Sequence, residues 1–69
     1  MKLSEINRTY ESIIHSNFSE DKKAIKLARL MTDMEGYFSI PMLQDEKWES
    51  ENRKVIALYR KISRSRSFD

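Results

Sequence analysis

Cysteine is absent from the chain, and histidine, glycine and proline occur once each. Without thiols no disulfide can form, and with His15 as the single imidazole the Cys/His sets of structural zinc sites cannot be assembled from one chain. One glycine is too few for the glycine-rich loops that cradle phosphates in P-loop and dinucleotide-binding proteins. No cofactor and no metal are therefore expected. Long apolar runs are missing too. The first residues, MKLSEINRTYESII, lack the uninterrupted apolar stretch of a secretory signal, and no later segment approaches the roughly 20 apolar residues that span a bilayer. A cytoplasmic protein without membrane contact is expected.

At 69 residues the chain has room for one domain, which hides only about 60% of its unfolded surface. Reinforcement must then come from helix packing or self-association, and a homodimer is expected. Charged residues make up 35% of the sequence, and with so little glycine and proline the composition favours helices over strands or disorder.

Apolar residues recur at helical spacing in three places. Leu3, Ile6, Tyr10, Ile13 and Ile14 form a narrow stripe over residues 3–16. Either Asn17 or Ser19 can cap a second helix over 19–35, whose broader face carries Ala24, Ile25, Leu27, Ala28, Leu30, Met31 and Met34 and which Gly36 is placed to terminate. The third pattern has Trp48, Val55, Ile56, Leu58, Tyr59 and Ile62 on one arc, interrupted by Glu51 and Asn52. A helix from Asp45 fits it, as does a short turn followed by a helix capped at Ser50 or Asn52. Beyond Ile62, Arg66 puts a guanidinium where the stripe would continue, so this helix is expected to end near Ser63 to Ser65. The expected fold is all-α: a small three-helix, bundle-like domain over residues 1–64, with a flexible basic tail at 65–69. Its core draws on Ile6, Tyr10, Ile13, Ile14, Leu27, Leu30, Met31, Met34, Val55, Leu58, Tyr59 and Ile62.

Catalytic arrangements are thin. Ser12 and His15 can meet on one helix face with Glu11 beside them, but solvated helix faces show such residues without any chemistry. The carboxylate pairs Asp45/Glu49 and Asp33/Glu35 have no further ligands to complete a metal site. No enzyme is expected.

Two features point to partners. Between the second and third helices, Tyr37-Phe38-Ser39-Ile40-Pro41-Met42-Leu43 is apolar where a solvated loop would be polar. It is either a lid on the core or a protein-binding surface, with Tyr37, Phe38, Ile40, Met42 and Trp48 as its contacts, since aromatics concentrate binding energy. The charge is also polarised: residues 37–52 carry a net −3 and residues 53–69 a net +5. Lys54, Arg60, Lys61, Arg64 and Arg66 form a basic patch at the chain end, where the helix dipole already favours cations and where phosphorylation of Ser63, Ser65 or Ser67 would cancel charge. These features suggest a small non-enzymatic regulator or adaptor of bacterial type that binds another protein. A nucleic-acid-binding regulator using the basic C-terminal helix is the alternative.

Overall fold

The computed structural model describes residues 2–66. Four helices follow one another: α1 (Leu3–Ile14), α2 (Glu20–Phe38), α3 (Glu46–Glu51) and α4 (Arg53–Arg66). The chain is all-helical among the described residues, with one helix more than the periodicity suggested.

α1 begins without a side-chain cap at Lys2 and buries Ile6, Tyr10 and Ile13. It stops two residues before the expected end. There the Ser16 hydroxyl donates to the Ile13 carbonyl at 2.6 Å, satisfying one of the orphan acceptors that a further turn would otherwise have used.

Ser19, not Asn17, caps α2: its hydroxyl accepts from the Lys22 amide at 3.2 Å. Glu20 and Asp21 follow in the first turn, where the helix dipole favours them. The other end departs from expectation. Gly36 lies inside the helix without a positive φ, and Ser39 takes the left-handed conformation at φ 55°. The amides of Ser39 and Ile40 both reach back to the Glu35 carbonyl, which makes the end a Schellman-type cap. The extra turn seats Phe38 against the core. Pro41, two residues beyond Ser39, prevents the helix from continuing and biases Ile40 toward extended backbone.

Asp45 starts α3 by accepting from the Trp48 amide at 3.0 Å. Asn52 divides α3 from α4. Its side-chain amide donates to the Trp48 carbonyl at 2.8 Å, while its own carbonyl accepts from the Ile56 amide at 3.0 Å. One residue thus closes one helix and opens the next. The break answers the interruption at Glu51 and Asn52, because a single continuous helix would have turned both toward the core.

α4 does not end at Ser63 to Ser65. It runs through Arg66, whose guanidinium lies 3.7 Å from the Met31 sulfur and covers the stripe it was expected to interrupt. Ser65 and Arg66 therefore belong to the helix; Ser67, Phe68 and Asp69, the rest of the expected tail, lie outside the described residues.

α2 sits centrally, packed on both α1 and α4, while α3 touches α4 alone. The core comprises Ile6, Tyr10 and Ile13 of α1, Leu27, Leu30, Met31 and Met34 of α2, and Val55 and Ile62 of α4. Ile14, Leu58 and Tyr59, expected in this core, are half-buried at its edge. The molecule measures 38 × 26 × 16 Å.

Candidate protein-binding groove

The connection from α2 to α3 divides its side chains between two directions. Ile40 turns in and packs on the core, whereas Met42 and Leu43 are 101% and 83% exposed. Pro41 stiffens the segment between them by fixing φ. With α3 on one side and α4 on the other, the connection borders a groove of about 210 Å³, whose apolar lining includes Ile40, Met42, Leu43, Trp48 and Ile56. Trp48 is half-buried on the core, so it presents a firm wall instead of a mobile tip.

Polar groups flank that lining. Arg60 and Glu49 pair across α4 and α3 at 2.6 Å, fixing the distance between the two helices. Tyr59 belongs to the groove and also donates its hydroxyl to the Glu35 carboxylate. A second recess shares Ile40, Pro41, Met42 and Tyr59 with the groove and is completed by Glu35. Burial, reinforced by the Glu35 hydrogen bond and its negative charge, pushes the Tyr59 phenol up to about 12, against a smaller opposing influence of Arg66.

Of the residues expected at a binding surface, Ile40, Met42 and Trp48 line the groove and Tyr37 and Phe38 do not. The latter two lie in the last turn of α2, their rings edge to face at 5.0 Å. Phe38 is half-buried on the core and Tyr37 is 57% exposed. Sequence reasoning missed Leu43, which it placed in the apolar segment without singling it out, and Tyr59, which the stripe assigned to the core. The signal for Tyr59 was its phenol, which needs a polar partner and so favours the core's edge.

The basic residues divide differently from their order in the chain. Arg60 is held by Glu49, and Lys61 lies 3.8 Å from Glu11 with its ammonium 5.0 Å from the centre of the Tyr10 ring. Arg66 rests on Met31. Lys54 and Arg64 are exposed and form no ion pair among the described residues.

His15 caps the end of α1 with its Nε2 3.1 Å from a Glu11 carboxylate oxygen. It thus meets Glu11 on the solvated face, as residues four apart on one helix do. Among the described residues no three His, Cys, Asp or Glu side chains are grouped to hold a metal ion, and no helix is long and apolar enough to cross a membrane. Comparison of the chain with protein-family models, with curated proteins and with solved structures returned no match.

Proposed function

We propose that the chain is a small non-enzymatic regulator or adaptor that binds another protein in the groove between the α2–α3 connection, α3 and α4. One observation carries this reading: Met42 and Leu43 stand almost wholly in solvent beside a recess walled by Trp48, Ile56 and Tyr59. The proline-stiffened segment loses less backbone freedom when a partner covers these two side chains, and the recess offers that partner an anchoring pocket. The scaffold is read as a bundle of α1, α2 and α4, with the Pro41 connection as its working element.

The test compares the immobilised chain with a Met42→Ser/Leu43→Ser variant in capture from native cell extract. Loss of specific captured proteins with an unchanged helical spectrum and melting temperature is expected. An identical captured set would overturn the groove as the binding surface.

The alternative keeps a specific observation of its own: α4, RKVIALYRKISRSR, has six basic residues and no acid. As a nucleic-acid element it would offer Lys54 and Arg64 freely, but Arg60 and Lys61 only after leaving Glu49 and Glu11. Titration with duplex DNA at two salt concentrations separates the readings, because several phosphate contacts impose a steep loss of affinity with salt.

A further inference from the structure

A second group of cations lies on α2, away from the C-terminal patch. Lys22 and Lys26, one turn apart, hold their ammonium groups 4.9 and 4.8 Å from the centre of the Phe18 ring. Arg29 continues the row, and none of the three forms an ion pair among the described residues. At the helical step, Lys22, Ile25, Lys26 and Arg29 fall within about 100° of one another around α2. Ile25 is 69% exposed in their midst and Phe18 39% exposed at their head. Asp33, one turn beyond Arg29, lies on the same arc in a recess shared with Lys26 and Arg29, and Glu20 and Asp21 form the first turn of the helix. The row of cations between them keeps the face positive.

We propose that this face of α2 docks reversibly on an anionic phospholipid surface. Charge complementarity supplies the attraction, and the exposed apolar pair selects the occupant. Phe18 and Ile25 enter the boundary between headgroups and acyl chains, while the lysines lay their aliphatic stems along it and raise their ammonium groups to the phosphates. A single-stranded nucleic acid would stack on Phe18 and leave Ile25 uncovered, whereas a lipid surface takes up both. An acidic protein would satisfy the cations but gives no reason for Ile25 among them. The expectation of no membrane contact rested on the lack of a long apolar run, which surface docking does not need; this face does not involve the groove residues.

Co-sedimentation of the full chain with phosphatidylcholine vesicles, with and without phosphatidylglycerol, tests the proposal. Sedimentation with the anionic vesicles alone is expected, with release at roughly 0.5 M salt as the charges are screened. Lys22→Gln and Lys26→Gln should each lower the partition coefficient about fivefold. Ile25→Ser should lower it with every charge intact, while Lys47→Gln, an equal charge change on α3, should leave it nearly unaltered. Circular dichroism confirms that each variant is folded. Absence of sedimentation with anionic vesicles at low salt would overturn the proposal, as would equal losses for Lys47→Gln and Lys22→Gln, or retention by Ile25→Ser. Tighter binding of oligothymidylate than of anionic vesicles would overturn it in favour of nucleic acid.

Discussion

The Tyr10 hydroxyl lies 2.6 Å from the Ser65 hydroxyl, joining the middle of α1 to the end of α4. Ser65 donates its one proton to the Lys61 carbonyl at 3.1 Å, so Tyr10 is the donor between them. Tyr10→Phe removes this bond while keeping the ring in the core, at a cost of about 1 kcal/mol. Deletion of Ser65 to Asp69 removes the same acceptor together with Arg66, so it should destabilise by at least as much. Urea unfolding of both variants checks the pair. A deletion without effect would mean that the chain end is an unattached tail.

Gly36→Ala and Ser39→Gly should both stabilise. Gly36 is helical, and a methyl group there meets nothing within 4 Å; the gain is about 0.5–1 kcal/mol. Ser39 holds the left-handed conformation that costs a residue with a side chain roughly 1 kcal/mol or more, so glycine should recover much of that. Thermal melts of the two single variants and the double give the signs. If the helix ended at Gly36, alanine there would destabilise instead.

Tyr59 sets an alkaline limit. Its phenol titrates near 10 in an unfolded chain and is raised to about 12 here. The protonated form is thus favoured by folding. This contribution is complete below pH 10 and is lost as pH rises toward 12. Denaturation midpoints measured across this interval should fall more steeply for the native chain than for Tyr59→Phe, and parallel curves would remove Tyr59 as the cause.

Met34→Ala should cost about 2–5 kcal/mol, since Met34 is fully buried and truncation leaves a cavity. In a domain this small that loss consumes much of the total stability. A Tm within a few degrees of the parent would show that the neighbouring helices close the gap.

A chain with this little core should also self-associate. Sedimentation equilibrium at micromolar concentration is expected to give a dimer mass for the native chain and for Met42→Ser/Leu43→Ser alike, which leaves the groove to its partner. A monomer in both would show that the helix core stands alone.

The helices were legible in the sequence where apolar periodicity was unbroken, because burial of a stripe leaves little choice of face. Two of the three helix ends that differ from expectation turn on local competition. Gly36 permits a stop without requiring one, and the burial won by Phe38 carries α2 past it. Arg66 falls where the apolar stripe of α4 would continue, yet its long side chain reaches Met31 and lets the helix go on. At the groove, Met42 was readable as an apolar residue outside any stripe, and Trp48 as one cut off from its stripe by Glu51 and Asn52. Tyr59 was not, since periodicity gives a direction toward the core and leaves out the carboxylate of Glu35 waiting at its edge.

The attachment of α3 to α4 alone gives the groove its own local unfolding equilibrium. Residues 46–51 can detach about the Asn52 break while the nine core residues on α1, α2 and α4 stay packed, so their amides should exchange with solvent through sub-global openings well before the core amides do. A partner seated against Trp48 has to hold that helix closed. Slowed hydrogen exchange confined to α3 would therefore report occupancy of the groove without any change in the rest of the molecule.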